Sequence, residues 1–186
     1  AVFKVIARKD GGRDALALSD EGDEAEGSGA VMEWLLNDPA YGYYGSGQVR
    51  FGSGGDFVTA PSQGPVFAEL LARQLRPCLD ALAAESGPLT LIEWGPGDGQ
   101  LMRDLIAGIG AESPAWLDRL ELVLVESSPA LQARQRQTLA GSAVPVHWCS
   151  PQQLAAELAK ARTGGGQIAV LGGGRLVHVT VVCGRA

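Results

Sequence analysis

The run "LTLIEWGPGDGQLMRDL", Leu89 to Leu105, constrains the fold more than any other part of the chain. Six mostly apolar residues lead into alternating glycines. Apolar positions at helical spacing come next, at Leu101, Met102, Leu105, Ile106 and Ile109. Strand, tight glycine loop and amphipathic helix in that order make the first half of a βαβ unit. The succession then repeats. "LELVLVE", Leu120 to Glu126, reads as a second strand, and Ser128 with Pro129 reads as an N-cap and first-turn proline opening a polar helix through Leu139. "AVPVHW" is a short third strand, Ser150 and Pro151 repeat the cap before "QQLAAELAKAR", and "QIAVL" is a fourth strand. This alternation predicts an α/β fold: a Rossmann-like, open and mostly parallel sheet with helices on both faces and right-handed crossovers. Ligands in such sheets bind beyond the carboxyl ends of the strands, where the glycine loop falls.

Upstream the chain is less regular. Residues 10–29, "DGGRDALALSDEGDEAEGSG", are acidic and glycine-rich with few large apolar side chains. Such a segment buries too little surface to offset its ordering entropy, so 1–29 is expected to be a flexible lead-in and 30–186 the folded domain. "AVMEWLLND" places Met32, Leu35 and Leu36 at helical spacing and stops before Pro39. The long glycine- and tyrosine-bearing stretch to Gly64 reads as a functional loop, with Tyr41, Tyr43 and Tyr44 packing the preceding helix or lining an entrance. "PVFAELLARQL" is an amphipathic helix with Val66, Phe67, Leu70, Leu71, Gln74 and Leu75 on one face, and Pro77 should kink it or begin a second helix. "RLVHVTVVC" is a candidate fifth strand.

Composition excludes several classes. The net charge of −6 argues against a nucleic-acid surface, and no apolar run approaches the ~20 residues of a membrane span. Ala1 to Lys9 carries charges on both sides of a short apolar run, unlike a secretory signal. Cys78, Cys149 and Cys183 are odd in number and far apart, which suits free thiols in a reducing compartment. His147 and His178 stand alone, so no metal is expected.

The glycine loop itself discriminates among ligands. Gly95 and Gly97 supply the first two glycines of a dinucleotide fingerprint, but the third falls on Gln100, and no phosphate loop is present. That disfavours a nicotinamide-dependent oxidoreductase. The pattern is instead acidic-x-G-x-G-x-G, from Glu93 through Gly95 and Gly97 to Gly99. A carboxylate ahead of alternating glycines suits a cationic nucleoside without phosphates, which S-adenosylmethionine is. Glu93 can serve its ammonium, the glycines let the backbone approach, and the amides opening the next helix can meet its carboxylate. Glu126, ending the second strand, can accept both ribose hydroxyls.

These stretches, together with "MEWLLNDPAYGYY", "GGDFVTAP", "FAELLARQL" and "LVLVESSPALQARQRQTL", resemble the MidA family from about Val31 to Trp148. These are class I S-adenosylmethionine-dependent methyltransferases, related to a mitochondrial complex I assembly factor that methylates protein arginine. The resemblance implies that Gly55, Asp56, Phe57 and Thr59 form a loop folding over the cofactor pocket. It implies that Glu93, Gly95, Gly97 and Gly99 line the methionine end, and that Glu126 with Ser127 holds the ribose. "GGDFVT" also has the composition of a plain tight turn. The implied setting is cytoplasmic, or the mitochondrial matrix if the source is eukaryotic, with a protein substrate.

Two departures stand out. The first 29 residues match nothing expected of the family. At the end of the fourth strand the family carries an Asn-Glu motif and then an Asp-containing stretch, where a carboxylate could orient an arginine guanidinium. This chain has Gly172, Gly173 and Gly174 there. A truncated, internally deleted or frameshifted member is therefore expected, with an apolar edge strand open to self-association. Two functions compete: an arginine-directed methyltransferase whose catalytic residue is not identified, and a non-catalytic cofactor-binding remnant or assembly partner.

Overall fold

The structure, a computed structural model, describes residues 3–10, 13–20, 24–83, 88–163, 167–172 and 178–182. Within the stretch expected to be an unstructured lead-in, β1 (Phe3–Asp10) and β2 (Arg13–Asp20) pair antiparallel. The register sets Val5 opposite Leu18 and Ala7 opposite Leu16, with Lys9 opposite Asp14 and Asp10 opposite Arg13. Averaged composition gives no sign of this pairing. The first helix, α1 (Glu24–Asn37), also starts ahead of the expected Ala30, but it ends before Pro39 as the sequence predicts.

Beyond α1 the chain folds back on the helix's last turn. Asp38 Oδ1 accepts the amides of Ala40 and Tyr41 at 2.8 and 2.9 Å. Gly42 and Gly45 press on the backbone of Asn37 and Asp38 so closely that any Cβ would collide with it. Tyr41 lies beside Trp34 and Tyr43 meets Tyr44 edge-on, which favours the packing role for these rings. By contacts the chain divides into two units: Ala1–Gln48, which holds the hairpin and α1, and Val49–Ala186.

The second unit is built on one sheet. Its strands are β3 (Leu89–Trp94), β4 (Leu120–Val125), β5 (Val146–Cys149), β6 (Gln167–Gly172) and β7 (His178–Val182), in the order β5-β4-β3-β6-β7. The first four run parallel, and β7 is an antiparallel edge strand beside β6. The fifth strand of the sequence reading therefore exists, while Gly173 and Gly174 lie outside the described residues. The chain builds outward from β3 to β5, then returns to place β6 on the other side of β3. Strand order reverses there, and such a reversal opens a crevice at the carboxyl ends.

Helices α2 (Val66–Ala83), α3 (Gln100–Glu112), α4 (Pro129–Thr138) and α5 (Leu154–Thr163) connect and flank the strands. Alternation along β3 and β4 divides the core into two layers. Leu89, Leu91, Leu122 and Leu124 pack with Leu71, Leu75 and Leu79 of α2 and Met102, Leu105 and Ile109 of α3. Ile92, Val123, Val125 and Cys149 face the other way, against Leu154 and Leu158 of α5. Helices thus cover both faces, as the alternating pattern requires.

The face of α2 needs a correction. Its buried stripe is Ala68, Leu71, Ala72, Leu75 and Leu79, whereas Val66 and Leu70 are more than half exposed and Gln74 is exposed. Large apolar residues alone do not mark this face, because small ones let α3 approach. Gly108 of α3 is the counterpart: a Cβ there would sit 3.1 Å from Ala72 Cβ. Pro77 neither ends nor restarts α2, because it stands on the exposed side, where water can meet the carbonyl it leaves unpaired. Substituting Gly108→Val should overpack this seam and cost about 1–3 kcal/mol, measured by urea denaturation.

Candidate cofactor site

The site lies at the carboxyl ends of β3 and β4. β3 is buried through Glu93, which is only 3% exposed, and then emerges at Trp94. The backbone next turns through Gly95, Gly97 and Gly99 at φ values of 68°, 57° and 83°, the left-handed region that side chains with a Cβ avoid. Pro96 carbonyl accepts the Gly99 amide at 2.8 Å, and Gly95 donates to Val125 carbonyl at 3.1 Å, tying the loop to the end of β4. Gly99 is also the N-cap of α3, so the loop delivers the helix amides to the same end of the sheet.

Glu93 is the unusual group. Its Oε2 is buried and has no hydrogen-bond partner among the described residues. Burial, reinforced by the negative charge of Asp98, pushes its carboxyl up to about 8. A buried acceptor without a donor costs free energy unless a ligand supplies one.

Glu126 ends β4 under different conditions. Its amide donates to Cys149 carbonyl at 3.0 Å, its Oε1 accepts the Ser128 amide at 2.8 Å, and the Ser127 amide supports the same carboxylate. Desolvation raises its affinity for a proton and these hydrogen bonds oppose the rise. A carboxylate offers about four acceptor positions, and with the Ser127 and Ser128 amides and the Gln135 side chain taking three, one is left for a ligand hydroxyl. Ser127 itself is exposed, and Ser128 caps α4 by accepting the Leu131 amide on Oγ at 3.2 Å. The predicted N-cap is borne out.

Two residues absent from the sequence reading complete the site. Phe51 lies against Gly97, whose Cβ would come within 3.3 Å of the ring. Gln135 of α4 is fully buried and donates to Gly97 carbonyl at 2.8 Å and to Glu126 Oε2 at 3.3 Å. In sequence Gln135 is one of several glutamines on a polar helix, and only the helix's docking distinguishes it from its neighbours.

Gly55, Asp56 and Thr59 are placed otherwise than a direct ligand set. Asp56 Oδ2 accepts the Arg50 amide at 2.9 Å and its own amide returns to Arg50 carbonyl at 2.8 Å. Gly55 is pressed on that carbonyl so tightly that no Cβ fits. Thr59 is exposed, with its amide donating to Ser62 Oγ at 2.9 Å. These residues shape a turn that carries Phe51 and Phe57, and Arg134 anchors its start by donating to Val49 carbonyl at 2.8 Å. The turn reading and the cover reading meet here, since the turn sets Phe51 on the glycine loop.

The residues fit S-adenosylmethionine at each of its polar ends. An ammonium would meet the unpartnered Glu93 Oε2, a carboxylate the α3 amides other than that of Gln100, which donates to Asp98 Oδ1 at 3.1 Å, and a ribose hydroxyl Glu126. No group of three or more metal-ligating side chains occurs among the described residues.

Because its folded-state value is raised, Glu93 holds a proton that the unfolded chain releases from about 4.5 upward, so stability falls as pH rises toward about 8. Glu93→Gln should flatten that decline and raise the melting temperature of the free protein above neutral pH. The gain is on the order of a few kcal/mol, measured by thermal denaturation across pH 5–9.

Comparison with known proteins agrees with this geometry. A protein from Danio rerio named "Protein arginine methyltransferase NDUFAF7, mitochondrial" is 33% identical over 129 residues, which are 63% of this chain and 28% of that protein. The protein of the same name from Xenopus tropicalis is 35% identical over 119 residues, 62% of this chain and 26% of that one. The chain therefore spans little more than a quarter of these relatives. A crystal structure from Burkholderia thailandensis bound to S-adenosyl-homocysteine is 37% identical, covers 64% of this chain and 31% of its own, and superposes with a TM-score of 0.51. Residues 70–165, just over half the chain, match the family described as "Putative S-adenosyl-L-methionine-dependent methyltransferase". The MidA resemblance is thus borne out, and the chain belongs to this family of methyltransferases, whose cofactor is S-adenosylmethionine.

Proposed function

We propose that this chain carries the cofactor-binding half of a methyltransferase acting on protein arginine. The observation that carries the reading is the buried, unpartnered Glu93 Oε2 beside a glycine loop, at the point where strand order reverses. Bound there, S-adenosylmethionine supplies an electrophilic methyl group on a sulfonium. Glu93 gives up its proton and takes the ammonium. The backbone of Gly95, Gly97 and Gly99 leaves room for the ligand, and the α3 amides receive its carboxylate. Glu126 holds a ribose hydroxyl, with Ser127 supporting through its amide. Gly55, Asp56 and Thr59 act through the turn that sets Phe51 over the loop. These residues position the methyl group for in-line attack by a guanidinium nitrogen, and positioning is most of what such a reaction needs.

The arginine assignment rests on the names of the relatives. The setting that goes with it is cytoplasmic, or the mitochondrial matrix in a eukaryote. No described helix is long and apolar enough to cross a membrane. The second reading, cofactor binding without turnover, draws support from β6. Its last residue, Gly172, pairs with Trp94 beside the site, where a guanidinium-holding carboxylate was expected. The edge strand β7 also offers a surface for a second copy, an idea that concentration-independent sedimentation of a monomer would exclude.

Calorimetric titration with S-adenosylhomocysteine tests the pocket. The chain should bind it, and Glu126→Ala should weaken binding by roughly 10- to 100-fold. At pH 7, binding should release about one proton, seen by comparing buffers of different ionisation enthalpy, and Glu93→Gln should abolish the release. A folded chain that binds nothing would refute the reading. Binding without transfer of labelled methyl to arginine peptides would select the second one.

A further inference from the structure

Gln135 uses three of the four hydrogen-bonding positions of its amide, and each bond reaches a different element. The amide nitrogen donates to Gly97 carbonyl in the glycine loop at 2.8 Å and to Glu126 Oε2 at the end of β4 at 3.3 Å. The amide oxygen accepts Trp148 Nε1 from β5 at 2.9 Å. Reversing the amide would set oxygen against two acceptors and nitrogen against a donor, so its orientation is determined. The stem runs past Gly99: Cα, Cβ and Cγ of Gln135 all lie 3.5 Å from where a Cβ on Gly99 would stand. Trp148 is braced from its face by the Arg136 guanidinium, 4.0 Å from the ring centroid. The preceding turn of α4 contributes too, since Gln132 Nε2 donates to Glu126 carbonyl at 2.9 Å.

We propose that Gln135 is a positioning residue that locks the methionine end of the cofactor pocket to its ribose end. This rests on the proposed cofactor pocket. One side chain holds both a carbonyl of the glycine loop and the ribose-binding carboxylate, so neither can shift without the other. The glycine loop needs such a brace. Three residues at positive φ supply the room a ligand requires but no side chains to fix the loop's position. The donated bond to Glu126 Oε2 also favours its ionised form, the form that accepts a hydroxyl hydrogen. Trp148 acts at one remove, by holding the amide in its productive orientation.

The test is calorimetric titration of the full chain with S-adenosylhomocysteine, with thermal denaturation of each variant alongside. Gln135→Met keeps the volume and removes the donors, and it should weaken binding at least tenfold in a protein that still melts cooperatively. Trp148→Phe should weaken it less, about three- to tenfold. Adding Trp148→Phe to Gln135→Met should cost nothing more, because its effect passes through the amide. Gln135→Glu gives a readout that a purely structural role would not move. Near pH 8 the introduced carboxylate repels the Gly97 carbonyl and Glu126, the two acceptors of the former amide nitrogen, while Trp148 Nε1 still donates to it. As the pH falls and it takes a proton, its affinity relative to wild type should recover. Wild-type binding together with undiminished binding by folded Gln135→Met would overturn the proposal. So would a wild-type-to-Gln135→Glu ratio that does not change with pH, which also decides the matter should Gln135→Met fail to fold. Absence of binding by the wild type would sink the pocket reading itself, a different result.

Discussion

An acid buried at the end of a parallel strand is the constraint on which this structure turns. β3 runs through the middle of the sheet, flanked by β4 and β6 and covered by helices on both faces. Its interior is apolar enough that Glu93, arriving at the end, is desolvated to the point of holding a proton near neutrality. The chain then leaves the strand through three glycines at positive φ, which turn the backbone sharply. The α3 amides and the ring of Phe51 lie against this turn, and the carboxylate beneath it stays buried.

Glu93 and Glu126 show how position in one fold separates two identical side chains. Glu126 ends the neighbouring strand but meets the amides of Ser127 and Ser128 and the side chain of Gln135. Hydrogen bonds oppose the effect of its burial without cancelling it, whereas Glu93 lacks a partner on Oε2. In the proposed reading the first meets a hydroxyl and the second an ammonium. Such a division suits a ligand with an ammonium at one end and a ribose at the other.

Much of this was legible in the residues, and the failures have physical causes. The strands around 89–94, 120–125 and 167–172 were readable because each is a short, mostly apolar run bounded by turn residues. The α3 face and the Ser128 cap came from spacing and side-chain chemistry. The hairpin at 3–20 was not legible because its pairing joins residues up to 17 apart in the chain, which average composition does not record. Val66 and Leu70 were expected on the buried side of α2 because Ala68, Ala72 and Gly108 carry a weaker apolar signal than leucine, though close approach depends on them. Gly55 and Asp56 were expected, on resemblance, in a loop folding over the cofactor pocket, and their close packing and hydrogen bonds build the turn that carries Phe51.

By itself the sequence determined the α/β alternation, the identity of the strand-end acids and the preference of the glycine loop for a cation over a phosphate. Those features are local: they depend on periodicity, on which residues tolerate positive φ, and on the charge at the end of a strand. Which groups would meet was decided by the tertiary structure alone. Gln135 stands 38 residues from Gly97 and nine from Glu126 in the chain, yet it bonds to both. No local pattern marks it among the glutamines of α4. Its role arises because β4 and β5 stack beside β3 and swing that helix over the loop, and long-range packing of this kind is what spacing along a chain does not record.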